Sequence, residues 1–238
     1  MLNSIIFNNL KKFFPVPAWC FGCKEFLDDN EQSFQNNLCH DCFEKLPFIS
    51  NEFCLICEKH HSSGNCTEKY SESINKFKAI FWYDEPVKDW VSQLKYAKNL
   101  SAGKILQLLI EYWFNNNKDF ILEHDLLLCI PIHWRRFISR GFNQTEYLLL
   151  RQNLIKLKPN LIKKTKHTAQ QAGLSLEKRV DNIKDSFYLQ DSLDGKKILL
   201  FDDVSTTGQT INEVSKIIKK AGAKNIDVLT LCRTDEKK

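Results

Sequence analysis

Two adjacent carboxylates, Asp202 and Asp203, are followed at once by a short run of hydroxyl-bearing residues and a glycine. The preceding run from Lys197 to Phe201, apolar from its second residue on, predicts a buried strand, and the residues from Gln209 to Ala221 predict a helix ended by Gly222. In an open α/β sheet, ligands collect where a strand ends and the next helix begins. The residues that the pattern places there are Asp202, Asp203, Val204, Ser205, Thr206, Thr207, Gly208, Gln209 and Thr210.

The chemistry of this loop favours a phosphate. A helix start offers unpaired backbone N–H groups and the positive end of the helix dipole, and Gly208 permits a close backbone approach. Two carboxylates would repel a phosphate, so they predict a different contact, either sugar hydroxyls or a magnesium ion that bridges a sugar and a pyrophosphate. The alternative is an acidic turn before an N-capped helix. The nucleotide P-loop and dinucleotide-binding patterns are absent from the sequence.

Basic residues follow another apolar run, Asp125 to Ile132, which predicts a second buried strand. The segment from this strand to Asn143 is predicted to be a basic loop that suits a pyrophosphate, because guanidinium groups match phosphate oxygens. Each basic residue could instead solvate a helix face. The residues are Arg135, Arg136, Arg140 and, elsewhere in the chain, Lys95, Lys98 and Arg179.

Cysteine spacing predicts a metal site near the start of the chain. Cys20 and Cys23 form one Cys-x2-Cys turn, and after a gap of 15 residues Cys39 and Cys42 form another. Four thiolates on two such turns are typical of a structural zinc ribbon. The rival, a disulfide framework, does not suit a chain without a recognisable secretion signal.

A second cysteine group leaves two alternatives open. Cys54 and Cys57 form a third turn, but the position three residues after Cys66 is Lys69. Either His60 or His61 completes a second zinc site with Cys54, Cys57 and Cys66, or the group is a degenerate turn that binds no metal.

Hydrophobic patterning predicts an N-terminal helix and zinc-ribbon module over residues 1–70 and a larger α/β domain over residues 74–238, with helices on both faces of a mainly parallel sheet. Further strands are predicted at Phe77 to Tyr83 and Ile226 to Leu231, and further helices at Pro86 to Lys98, Gly103 to Phe114 and Asn143 to Lys156.

Composition supports a soluble protein. The 238 residues are 43% hydrophobic and 26% charged, and a net charge of +5 is compatible with an anionic partner without identifying one. The apolar runs are too short to span a membrane, which favours a cytoplasmic protein. Met1 to Phe14 predicts a short amphipathic helix that either docks on the protein or associates with the inner face of the membrane.

The loop from Leu199 to Thr210 resembles the phosphoribosyl-pyrophosphate motif of type I phosphoribosyltransferases, and the chain as a whole resembles the ComF family of competence proteins. Lys69 departs from that family's pattern of ribbon cysteines. The remaining motifs that carry the resemblance are Gln93-Leu94-Lys95-Tyr96, Arg136 with Arg140-Gly141-Phe142-Asn143-Gln144, Thr168-Ala169-Gln170-Gln171, Arg179 with Asn182, and Leu231-Cys232-Arg233.

The resemblance implies a function and roles for the loop. Asp202 and Asp203 would hold the ribose 2′- and 3′-hydroxyls, and Ser205 to Thr210 would wrap the 5′-phosphate. It further implies phosphoribosyl pyrophosphate and magnesium as ligands, phosphoribosyl transfer, and a role in natural transformation with imported single-stranded DNA and an uptake helicase or channel as partners. The alternative is a non-catalytic module that binds single-stranded DNA, with Trp134 or Phe137 as stacking residues.

Overall fold

The computed structural model describes residues 18–27, 33–34, 37–50, 53–54, 59–60, 71–132, 134–164, 186–189 and 191–234. The chain forms two compact units, residues 1–46 and residues 47–238. The predicted division near residue 70 falls outside the described residues and stays a prediction, as does the helix over Met1 to Phe14.

The first unit contains two short antiparallel hairpins and one helical turn. Strand β1 (Ala18–Trp19) pairs with β2 (Phe26–Leu27), and β3 (Ser33–Phe34) pairs with β4 (Leu38–Cys39), which leads directly into α1 (His40–Glu44). Such small elements bury few apolar side chains.

The second unit is built on a sheet of four parallel strands: β7 (Lys76–Trp82), β8 (Leu126–Cys129), β11 (Lys197–Ser205) and β12 (Asn225–Arg233). Their order across the sheet is β7-β12-β11-β8. This arrangement confirms the predicted parallel sheet. Its helices are α2 (Val87–Tyr96), α3 (Leu100–Asn116), α4 (Lys118–Leu122), α5 (Trp134–Arg140), α6 (Gln144–Leu148) and α7 (Gln209–Lys220).

Two further strand pairs in this unit are short and antiparallel. They are β5 (Phe53–Cys54) with β6 (Lys59–His60), and β9 (Ile162–Lys164) with β10 (Phe187–Leu189).

Both faces of the sheet are buried, as continuous apolar strands require. Ile198 and Leu200 of β11 pack in one cluster with Val214 and Ile218 of α7. Leu199 and Phe201 project to the opposite face, because side chains alternate along a strand, and both are fully buried. The strand therefore has a fixed position, and its carboxyl end carries the acid pair.

The structure corrects three predicted boundaries. Of the helix predicted from Asn143 to Lys156, only the part that forms α6 is helical. Lys156 and Lys158 exchange backbone hydrogen bonds with Leu127 of β8, which hold the end of this segment extended. The basic segment before Asn143 is largely the helix α5 instead of a loop. Strand β11 continues to Ser205, so both acids lie within the strand and not after it.

Among the described residues, no helix combines the length and the apolar character needed to cross a membrane.

Candidate functional site

Asp202 and Asp203 lie in the carboxyl-terminal half of β11. Ligands of open parallel sheets bind at the carboxyl ends of the strands. Asp202 is level with Thr230 of the neighbouring strand β12, and both acids are half-buried. The backbone N–H of Asp203 donates a hydrogen bond of 2.9 Å to Oδ1 of Asp202. This bond fixes one carboxylate against the backbone of the other residue.

Lys95 supplies the counter-charge for the pair. It lies in the last turn of α2, and its Nζ is 2.9 Å from Oδ2 of Asp203. Only 17% of the lysine side chain and 15% of the aspartate side chain are exposed, so solvent screens this ion pair weakly. The structure therefore brings together the acid pair and Lys95, three of the residues selected from the sequence.

The electrostatics of the pair are uneven. Burial and the neighbouring charge of Asp203 raise the pKa of Asp202 to about 8, although the N–H of Asp203, Lys95 and Lys164 act in the opposite direction. For Lys95, burial lowers the pKa, but the charges of Asp203 and Asp202 outweigh burial and leave the pKa raised. Burial thus disfavours the charged form of Asp202 more than that of an ordinary aspartate, and a cation bound beside it would favour the charged form.

The residues after the acids curve into the start of α7. Gly208 has φ of 68°, a left-handed conformation that favours glycine, and it directly precedes the helix. A cavity of about 50 Å³ lies at this point. It is lined by Asp202, Val204, Ser205, Thr206, Thr207, Gly208, Gln209, Thr210 and Ile211, so that the predicted loop from Val204 to Thr210 surrounds one space.

Polar atoms at this helix start are buried without partners. Oε1 of Gln209 and Oδ1 of Asn212 have no hydrogen bond within the described part of the chain. Buried polar atoms without partners are costly in a folded protein, which marks the helix start as a place where a donor is expected.

A larger cavity of about 620 Å³ lies at the other end of α7, between the last turn of that helix and β10. None of the predicted site residues lines it. Asp202 and the predicted loop from Val204 to Thr210 line the smaller cavity, which is therefore the candidate site.

The predicted basic residues have different environments. Nη1 of Arg140, at the end of α5, donates a 2.8 Å hydrogen bond to Oε1 of Gln144, and its guanidinium lies 5.7 Å from the ring centre of Tyr96. Arg136 lies on the same helix, and its side chain is outside the described residues. Arg140 thus contacts the residue next to Lys95.

Several residues singled out from the sequence lie outside the described residues, and their roles stay predictions. They are Thr168 to Gln171, Arg179 and Asn182.

Sequence reasoning missed one basic neighbour of the site and gave another no role. Lys164 of β9 lowers the pKa of Asp202 by its charge, and no local pattern marks it, because its position depends on the packing of β9. Arg233 was named only within a family motif, and the structure places its Nη1 3.4 Å from Oγ of Ser205.

The cysteine cluster of the first unit is a metal-compatible site. The Sγ atoms of Cys20, Cys23, Cys39 and Cys42 all lie within 4.8 Å of one another. The distance from Cys39 Sγ is 3.6 Å to Cys20 Sγ and 3.9 Å to Cys23 Sγ. Sulfur atoms bonded to one tetrahedral zinc ion are about 3.8 Å apart, so the cluster could hold a metal ion such as zinc.

The surroundings of the thiols also suit a metal. The N–H of Cys39 donates to Sγ of Cys20 at 3.3 Å. Burial raises the pKa of the Cys20 thiol, but hydrogen bonds from the backbone of Cys39, Cys23 and Gly22 outweigh burial and lower it to about 7. Burial and the neighbouring thiols raise the pKa of Cys42. A bound cation would keep such a thiol ionised, since thiolate is the ligating form.

The second cysteine group is only partly described. Cys54 and His60 lie on the paired strands β5 and β6, whereas Cys57, His61 and Cys66 are outside the described residues. Both alternatives for a second zinc site stay open.

Comparison with known proteins agrees with this architecture. Residues 152–238 match the family model of the phosphoribosyl transferase domain. The chain is 30% identical to competence protein F of Haemophilus influenzae over 84% of this chain and 99% of that protein. It is 28% identical to competence protein ComFC of Streptococcus pneumoniae, covering 82% of this chain and 87% of that protein. It is 29% identical to the DNA utilization protein YhgH of Escherichia coli, covering 92% of this chain and 98% of that protein.

The parallel sheet, the matching family model and the four-cysteine cluster define a type I phosphoribosyltransferase-like domain with an N-terminal metal-compatible module. More specifically, the chain belongs to the family of competence protein F, as the resemblance in the sequence implied.

Proposed function

We propose that the pocket at the carboxyl end of β11 binds phosphoribosyl pyrophosphate with magnesium, and that the protein transfers the phosphoribosyl group during natural transformation. In this proposal it acts on or alongside imported single-stranded DNA in the cytoplasm. The observation that carries the proposal is the acid pair Asp202–Asp203 leading directly into the cavity-lining loop from Val204 to Thr210.

The two halves of this site suit the two halves of a ribose phosphate. Asp202 and Asp203 accept hydrogen bonds, which matches the 2′- and 3′-hydroxyls of a ribose. The loop and the first turn of α7 offer hydroxyl and N–H donors, which match the 5′-phosphate. The ribose would therefore lie across the strand end, with its phosphate over Gly208.

The chain's task in such a transfer is mainly positioning. Displacement of pyrophosphate passes through an oxocarbenium-like state and needs no protein nucleophile, so holding the ribose and excluding misaligned poses are the main contributions. Asp202 and Asp203 would hold the sugar ring. A magnesium ion bound with the ligand would neutralise charge on the pyrophosphate.

Calorimetry tests the binding. Phosphoribosyl pyrophosphate is titrated, with and without magnesium, into the wild type and into Asp202→Asn/Asp203→Asn. The double variant should lose binding. A matched control, Glu72→Gln/Asp191→Asn, removes two exposed acids away from the pocket and should bind normally. Binding by the double variant equal to that of the wild type would contradict the proposal.

Turnover is tested separately. Protein, phosphoribosyl pyrophosphate and magnesium are mixed with bases, amines or single-stranded DNA, and released pyrophosphate is measured. If the protein binds phosphoribosyl pyrophosphate but releases pyrophosphate with none of the acceptors, the proposed transferase activity is refuted and the protein only binds this ligand.

A second candidate, a non-catalytic module for single-stranded DNA, is favoured by one specific observation. Trp134 and Phe137 of α5 are 56% and 48% exposed, although large aromatic side chains are usually buried. Exposed aromatic rings can stack on bases. The replacements Trp134→Ala and Phe137→Ala should each weaken DNA binding about fivefold or more if bases stack there. Tyr188→Ala, at another exposed aromatic residue, serves as the control.

We also propose that Cys20, Cys23, Cys39 and Cys42 hold a structural zinc ion, since four thiolates at these distances suit tetrahedral zinc.

A further inference from the structure

We propose that Tyr96 is a positioning residue that holds Arg140 for the pyrophosphate half of the ligand, while its neighbour Lys95 holds Asp203 at the ribose half. The last turn of α2 would then set the distance between the two halves of the site. This inference rests on the proposed binding of phosphoribosyl pyrophosphate.

The ribose side of this arrangement is the Lys95–Asp203 ion pair. Its 2.9 Å length and the low exposure of both side chains fix the end of α2 against the carboxyl end of β11. The position of the Lys95 side chain is therefore set by its ion pair with β11.

The phosphate side is the Arg140–Gln144 pair. Gln144 is 1% exposed and accepts the 2.8 Å hydrogen bond from Arg140, so the guanidinium is held by a buried side chain. The next residue, Thr145, donates from Oγ1 to the carbonyl of Ile130 at 3.0 Å, which attaches this turn to the end of β8. Arg140 is thereby connected to the same edge of the sheet as the acid pair.

Tyr96 joins the two sides. Successive helix residues project about 100° apart, so Lys95 can reach β11 while Tyr96 reaches α5. The Tyr96 side chain is 70% exposed, yet its ring lies 5.7 Å from the Arg140 guanidinium. Burial of the ring does not account for this position, whereas attraction between a guanidinium and an aromatic face does.

The consequence concerns the geometry of binding. Phosphate oxygens are bound in the plane of a guanidinium. The contacts of Arg140 with the Tyr96 ring and with Gln144 limit the rotation of its side chain before the ligand arrives. Preorganisation of this kind strengthens binding of the group that the arginine contacts and has no effect on a group bound elsewhere.

The test uses the two halves of the ligand separately. Magnesium pyrophosphate and ribose 5-phosphate are each titrated into the wild type, Tyr96→Leu and Tyr96→Phe. Tyr96→Leu should weaken pyrophosphate binding about two- to fivefold, the range of an exposed cation–π contact. Ribose 5-phosphate binding should not change. Tyr96→Phe keeps the ring and should bind both halves as the wild type does.

A double-mutant cycle shows whether Tyr96 acts through Arg140. Tyr96→Leu should have no further effect on pyrophosphate affinity in a protein that already carries Arg140→Gln. Since Tyr96 is largely exposed, its replacement should leave the fold intact, and thermal unfolding of the variant checks this directly.

The outcomes separate this inference from the proposed function. If the wild type binds neither half, the proposed function fails and the role of Tyr96 fails with it. If the wild type binds both halves but Tyr96→Leu weakens neither, or weakens both equally, only the role of Tyr96 is refuted. An effect of Tyr96→Leu that persists in the Arg140→Gln background would refute it as well.

Discussion

Replacement of Lys95 by methionine tests the electrostatic description of the pocket. The change keeps much of the apolar stem and removes the positive charge beside Asp203. An exposed ion pair contributes about 0–1 kcal/mol, and removing one partner of a buried pair costs about 3–5 kcal/mol. With side chains 17% and 15% exposed, we expect Lys95→Met to lower the free energy of unfolding by about 2–3 kcal/mol at neutral pH.

The cost should depend on pH in a defined direction. Lys95 has a raised pKa, so its own stabilisation is complete below the ordinary value of 10.5 and is lost only above it. Between pH 5 and 9 the dependence therefore comes from the acids. Loss of Lys95 removes a charge that lowers the pKa of Asp202, so this pKa rises further. The folded variant then holds this proton up to a higher pH than the folded wild type does, so its stability goes on falling with rising pH after that of the wild type has levelled off.

The assay is urea unfolding followed by tryptophan fluorescence at pH 5 and at pH 9. The wild type is compared with Lys95→Met, with Lys95→Arg and with Lys95→Met/Asp203→Asn. The arginine variant keeps the charge, and the double variant removes the carboxylate that lost its partner. Both should recover most of the lost stability.

Two results would refute the reasoning. One is a loss of stability in Lys95→Met that is equal at pH 5 and pH 9. The other is a double variant no more stable than the single one, because the cost would then come from packing and not from the unpaired carboxylate.

Three further predictions concern the strand end, the loop and the metal module. The pKa of Asp202 is raised from its ordinary value of 3.8 to about 8, so its contribution to stability is complete below the lower value and is lost as pH rises through the upper one. Urea unfolding of Asp202→Asn at pH 5 and pH 8 should lack this decline in stability. A decline equal to that of the wild type would contradict the assignment. Gly208→Ala should lower the free energy of unfolding by about 1–2 kcal/mol, because alanine is strained at positive φ, and should weaken phosphoribosyl pyrophosphate binding in calorimetry. The control Gly195→Ala, at a comparable φ of 69°, should lower the stability by a similar amount and leave binding intact. The purified protein should contain zinc bound at the four-cysteine cluster. Gly22→Ala should lower the affinity of the cluster for zinc, because an added Cβ would lie 2.7 Å from Sγ of Cys42. Competition with a chelator measures this affinity, and an unchanged value would argue against the observed packing of the cluster.

Local signals in the sequence predict the candidate site. The run from Ile198 to Phe201, the acid pair and the following glycine each depend on neighbours within a few residues, through burial, hydrogen bonding and backbone conformation. Spacing likewise identified the four-cysteine cluster, because Cys-x2-Cys turns place two sulfurs on one ion without help from the rest of the fold.

The helix prediction was wrong where the helical periodicity of a segment competed with backbone pairing to a distant strand. The residues from Asn143 to Lys156 have helical periodicity, but hydrogen bonds to Leu127 hold the end of the segment along the sheet. Backbone pairing with a distant strand is invisible to a periodicity that counts only nearby residues.

The sequence by itself determined the parallel sheet, the order of strand, loop and helix around the acid pair, and the four metal-compatible cysteines, but it placed the acid pair after β11 instead of within it. Only the tertiary structure decided that Lys95 neutralises Asp203, that Lys164 lies near Asp202 and that Arg140 contacts Tyr96. The physical reason is range. Burial and backbone hydrogen bonding impose periods that can be read along the chain, whereas a charge pairs with whichever residue the order of strands and the packing of helices bring beside it.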